Sequence, residues 1–200
     1  MLIATPLAFL VAFILNVARF PGRWLLISLF NTLLGVPTVV IGLLLYLLLS
    51  RSGPLGDLKL LFTEPAMIIG QILIALPLLV AMGLAAFEGA DRRAWETART
   101  LGASPLSAML ALMYEVRFGL AAAGAAAYGR IISEVGCSMM VGGNILNYTR
   151  NIPTAIALET SKGEFAQGVA LGIVLLLLAL ILNFAVSLMQ RKGDPVHEYI

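Results

Sequence analysis

Two hundred residues, 60% of them hydrophobic and only 12% charged, with a mean hydropathy of +0.96, lie far outside the composition of a soluble globular domain and read as an integral membrane protein. A net charge of +2 is too small to attract nucleic acid. The single cysteine, Cys137, excludes an internal disulfide and a cysteine cluster for metal, and the single histidine, His197, sits in a polar tail.

In chain order, the apolar runs predict an all-α bundle of about five spanning helices: Leu2–Ala18, Leu25–Leu49, Ala66–Phe87, Phe118–Val141 and Val169–Met189. The first is about as short as a span can be. Pro37 and Pro77 are expected to kink the second and third, and Gly35, Gly42, Gly70 and Gly83 to permit close helix contact.

Between the third and fourth runs lies DRRAWETARTLG, Asp91 to Gly102, a polar helix of about three turns. Asp91 is placed to cap it, Arg92 and Glu96 stand one turn apart, and Gly102 supplies a left-handed stop. Trp95, Ala98 and Leu101 recur every third residue and form an apolar stripe. After Ala103, Ser104 can cap and Pro105 can begin a second helix running through Met113. A polar helix–turn–helix held at a membrane surface is fitted to meet a partner in the water.

The fourth run is rich in small residues, Gly119, Gly124, Gly129 and Ala121 to Ala127, which fits packing against protein. Arg130 and Glu134 fall on it four residues apart, either as a neutralised pair holding the helix in register or as groups in a solute pathway. The following stretch, Gly136 to Gly168, is too polar and glycine-interrupted for a lipid-facing helix. A bend is expected at Gly142-Gly143 and a short helix near Pro153 to Thr160, capped by Asn151. Irregular backbone at membrane depth is tolerated where it lines a water-filled path, so the stretch reads as a pathway or gate, with an ordinary external loop as the alternative. Pathway candidates are Arg130, Ser133, Glu134, Ser138, Gly142, Gly143, Asn144, Thr149 and Arg150, the last of which reads rather better as a simple external anchor.

Lysines and arginines alternate in density along the connections. The first and third connections and the tail hold eight, the second and fourth hold four, and Arg130 is intramembrane. The positive-inside rule places the helix–turn–helix and the C-terminus in the cytoplasm and the N-terminus outside. No connection is long enough for a soluble domain. Residues 1–190 are therefore expected as one transmembrane domain, with 88–116 as its cytoplasmic helix–turn–helix and 191–200 as a tail. An intramembrane enzyme would need a nucleophile–base pair or a metal cluster, and those parts are missing. A structural subunit of a membrane complex would not require the capped polar turn.

Glu96-Thr97-Ala98 followed by Gly102 resembles the first half of the Glu-Ala-Ala motif of permease subunits of ATP-binding cassette importers, with Leu112 and Tyr114 in its second half and Glu115 where that family has proline. The joint order is more specific: Arg19 to Arg23, Asn31 to Pro37, Arg51 to Gly56, Thr100 to Pro105, Ile132 to Gly136, Met139 to Ile145, Thr149-Arg150 and Thr154 to Gly163. Over nearly the whole chain this series resembles the tungstate branch of the molybdate, tungstate and sulfate permeases. Such permeases begin upstream of Met1, so the first span is expected to be cut short at its start. The resemblance implies residence in a prokaryotic inner membrane, a homodimer among membrane lipid, two ATPase subunits that bind ATP-Mg, and an extracytoplasmic oxyanion-binding protein. It also implies that Asp91, Trp95, Glu96, Ala98, Leu101, Gly102 and Ala103 dock on the ATPase and transmit its closure. No cofactor is expected in this chain itself: it contains no Gly-x-x-x-x-Gly-Lys-Ser/Thr loop.

Overall fold

The computed structural model describes residues 1–18, 20–90 and 92–191, and every regular element among them is helical. The α-helices are α1 (Ala4–Val17), α2 (Arg23–Leu34), α3 (Thr38–Leu49), α4 (Glu64–Glu88), α5 (Arg92–Thr100), α6 (Pro105–Glu115), α7 (Arg117–Ile132), α8 (Gly136–Gly142), α9 (Ile152–Ser161) and α10 (Phe165–Arg191), with one 3-10 turn at Gly56–Leu58. The described residues gather into two compact units, those within 1–34, 76–127 and 183–191 in one, 35–75 and 128–182 in the other.

The first unit is organised by an alanine ridge. Ala4, Ala8 and Ala12 repeat at i, i+4 and i+8 on α1 and are fully buried, and Phe9 and Ala12 lie against Gly83 of α4. Ridges of methyls meeting a glycine let two helix backbones approach closely where no water is present to drive association. Leu79, Val80, Leu84 and Phe87 complete the buried face of α4, and Phe13 meets Phe87 edge-on at 5.9 Å.

In the second unit the core is Leu45 and Leu49 of α3, Ala66, Met67 and Ile74 of α4, and Cys137 and Val141 of α8. Gly42 and Gly70 both face Cys137. A Cβ on Gly42 would stand 2.8 Å from the Cys137 Cα, and one on Gly70 would stand 2.6 Å from its Sγ. The short helix α8 is thus clasped between two glycines.

Two of the expected spans are single apolar helices long enough to cross a bilayer, α4 and the stretch Phe165–Ala185 of α10. Almost none of that α10 stretch is buried, as befits a helix facing lipid or a further chain. Pro77 leaves α4 unbroken. Of the other three, the second breaks where Pro37 predicts a kink or local opening, and the first and fourth are shorter than expected. α1 has 14 residues. The second span is broken: α2 stops at Leu34 and α3 starts after Pro37, which has no N–H to continue the ladder. The expected continuous fourth span ends at Ile132 and resumes at Gly136, while α7 is preceded by α6 at a bend of 73°.

Candidate functional site

The polar turn forms as its residues dictate. Gly102 takes φ +85°, its N–H donates to Arg99 O (3.2 Å), and Ala103 N–H donates to Ala98 O (3.0 Å), the paired bonds of a Schellman stop. Ser104 then caps α6, its Oγ accepting from Ser107 N (3.1 Å), with Pro105 in the first turn. α6 runs two residues past the expected Met113, to Glu115. Sequence reasoning missed the brace across this turn, Arg99 Nη1 donating to Ala103 O at 2.8 Å.

Trp95, read as part of a stripe, meets Phe13 of α1 edge-on at 5.3 Å, and Phe13 in turn meets Phe87 of α4. The polar helix is therefore tied by a row of three aromatic rings to two membrane helices. A second tie lies nearby: Arg23 of α2 donates Nη2 to Glu88 Oε1 at the end of α4 (3.0 Å) and Nε to Leu15 O of α1 (2.5 Å). Glu96 is exposed and Ala98 partly covered, whereas Leu101 is 82% exposed, so the stripe splits into an anchored end at Trp95 and an open end at the turn. Asp91 lies outside the described residues, as do the side chain of Arg92 on which its pairing with Glu96 depends, Arg19 and Lys192 of the charge count, and His197.

In the second unit the expected bend and cap are present. α8 ends at Gly142, Gly143 takes φ +70°, and Asn151 caps α9 in a reciprocal box with Thr154. Arg130 and Glu134, however, form no ion pair. The i, i+4 relation needs an unbroken helix, and α7 ends between them. Glu134, 7% exposed, turns forward and accepts from Cys137 N (2.9 Å), satisfying one of the free N–H groups that open α8. Arg130 is exposed, Ser133 returns its hydroxyl to the Gly129 and Arg130 carbonyls, and Ser138 is buried.

The remaining candidates hold one another. Thr149 Oγ1 donates to Gly142 O (2.6 Å) and accepts from Ile145 N (2.9 Å). Arg150 donates to Asn144 Oδ1 (3.3 Å) and to Asn144 O (3.2 Å), and Asn144 Nδ2 donates to Thr154 O (3.4 Å). Arg150 is thus turned into its own loop. No group of acidic, histidine and cysteine side chains able to hold a metal is found among the described residues.

Long apolar helices, one of them leading into a doubly capped polar turn, and a self-bonded loop after a broken helix define a polytopic helical membrane protein. The chain is 48% identical over 161 residues to the tungstate uptake system permease protein of Campylobacter jejuni, covering 80% of this chain and 67% of that protein. It is 43% identical to a probable anion ABC transporter permease protein of Haloferax volcanii (82% and 73% covered) and 34% identical to the tungstate uptake system permease protein of Peptoclostridium acidaminophilum (88% and 78% covered). Permeases named for sulfate and molybdenum transport match at lower identity. No family-wide sequence profile matches the chain. The chain belongs to the permease subunits of ATP-binding cassette oxyanion importers.

Proposed function

We propose that two copies of this chain form the membrane passage of a tungstate importer. An extracytoplasmic binding protein delivers the dianion, and a partner ATPase binds ATP-Mg and performs the hydrolysis, the chain itself doing no catalysis. The single observation that carries the reading is the turn at Gly102. It is a small, rigid, exposed knob, capped on both sides, whose helix is tied through Trp95 and Phe13 to the spanning helices. Such a part suits docking in a groove of the ATPase and passing its closure to α1 and α4. With more cations in the connections on its side, the turn belongs in the cytoplasm and the N-terminus outside.

Alternating access requires two states of the permease that ATP and the loaded binding protein favour differently. The interlocked loop from Gly143 to Thr154 suits a gate that moves as one piece. The Thr149 hydroxyl, the Asn144 amide and Nε and Nη2 of Arg150 donate within the loop, in keeping with a conduit that must release its solute and leaves selectivity to the binding protein.

The test is ATP-driven uptake in proteoliposomes holding this chain, its ATPase and its binding protein, with tungstate, molybdate and sulfate in direct competition. Tungstate-selective uptake supports the reading. Preference for molybdate or sulfate moves the substrate within the oxyanion class, and no uptake of any of them by an intact complex rejects the class.

A further inference from the structure

None of the residues of α2 is buried, yet its exposed edges differ in kind. Leu25, Leu29 and Leu33 repeat every fourth residue, joined by Leu26, and all four are open, Leu25 at 55% and Leu29 at 52%. That edge suits lipid. Rotated away from it run Trp24, 69% exposed, then Ser28, Asn31 and Thr32, also exposed, a spacing of four, three and one that keeps them on one side of the helix.

This polar edge borders a shallow, open depression of about 480 Å³ lined by the same residues with Arg23 and Ile27, and Asn31 also opens onto a more enclosed pocket of about 220 Å³ that reaches Glu88. Thr32 donates to Ser28 O (2.8 Å), but the Ser28 hydroxyl and the Asn31 amide make no side-chain hydrogen bond among the described residues. Free donors and acceptors do not face hydrocarbon without cost, so this edge meets water or something polar. Its charge is also balanced. Arg23 is the cation here, and its guanidinium is committed to Glu88 and to Leu15 O. What remains is a neutral row of hydroxyl, amide and indole donors.

Resting on the oxyanion-importer reading above, we propose that the edge of α2 formed by Trp24, Ser28, Asn31 and Thr32 lines the water-filled route of the solute and passes a tetrahedral oxyanion along by neutral hydrogen bonds. A dianion is drawn to such donors in place of its hydration shell. Among the described residues that line the edge no cation is left unpaired, which keeps the contact weak enough for release. The segment Asn31 to Pro37 then has a use that the pathway candidates downstream of α7 did not cover.

The experiment uses the complete transporter in proteoliposomes with single cysteines at Ser28, Asn31, Leu25 and Leu29, treated on both faces with an anionic methanethiosulfonate. Native Cys137, 2% exposed, sets the background in the wild type. Ser28→Cys and Asn31→Cys are expected to react at least about tenfold faster than Leu25→Cys and Leu29→Cys. Tungstate with its binding protein should slow that reaction, and labelling should stop uptake. Equal, slow labelling at all four positions, or disulfide cross-linking of Asn31→Cys between two copies, overturns the proposal and assigns the edge to lipid or to the homodimer contact. Uptake by the untreated wild-type complex tests the oxyanion reading separately, so intact uptake with an unlabelled edge rejects only the route.

Discussion

Replacing Gly102 isolates what the proposed docking turn requires. A Cβ there would find nothing within 4 Å, so inside this chain the cost of a side chain is purely conformational. At φ +85° an L-residue loses roughly 1–2 kcal/mol to the clash of Cβ with its own backbone, less for Asn, which bonds locally. A β-branched residue is a stronger outlier. A loss of roughly 1–2 kcal/mol lowers the ratio of formed to unformed turn by about 5- to 30-fold. The buried cores of both units lie elsewhere, so insertion and assembly of the spans should persist. The assay is ATPase stimulation by loaded binding protein in the reconstituted complex, with membrane insertion checked by fractionation. Gly102→Asn should stay near wild type, Gly102→Ala should lose several-fold, and Gly102→Val should lose stimulation altogether while inserting normally. Normal coupled transport by Gly102→Val would refute the lever. Failure of Gly102→Asn as complete as that of Val would show that the position needs empty space in the ATPase groove, not a left-handed backbone.

Trp95→Ala and Phe13→Ala should each weaken coupling of ATP hydrolysis to uptake. Their double-mutant cycle should show an interaction of about 0.5–1.5 kcal/mol, whereas additive losses would sever the proposed aromatic link. Gly70→Ala overpacks against the Cys137 Sγ at a cost of roughly 1–3 kcal/mol, and adding Cys137→Ala should restore most of the thermal stability in detergent. Gly42→Ala, which meets the Cys137 backbone, should not be rescued in that way. Glu134→Ala should cost about 1 kcal/mol through its lost bond to Cys137 N, with Glu134→Gln milder. Arg130→Met should add to it independently, and a double variant more stable than Glu134→Ala alone would reinstate the ion pair.

What the sequence made legible was chemistry that is complete within a few residues. Gly102, Ser104-Pro105 and Asn151 with Thr154 each specify a cap through atoms one turn apart, and each is found. The breaks were harder. Hydropathy reports the medium around a segment, not the continuity of its backbone, so Phe118–Val141 reads as a single helix although the Ser133–Val135 step interrupts it, whereas Pro37 itself signals the break found in Leu25–Leu49. The pairing of Arg130 with Glu134 failed for the same reason, since it presumed a helix that stops at Ile132. Phe13 and Trp95 are 82 positions apart, and no local pattern announces that they meet.

The loop after α8 carries a consequence for descent. Arg150 meets the Asn144 side chain, while Thr149 separately holds the Gly142 carbonyl and the Ile145 N–H, so losing the Asn144 amide or the Thr149 hydroxyl leaves a buried or half-buried group without its partner. Drift at Asn144 and Arg150 is therefore viable mainly as a joint replacement, whereas Thr149, whose partners are backbone atoms, should be held on its own account. Across related permeases Asn144 and Arg150 should covary, a coupling that exposed neighbours such as Leu146 should lack.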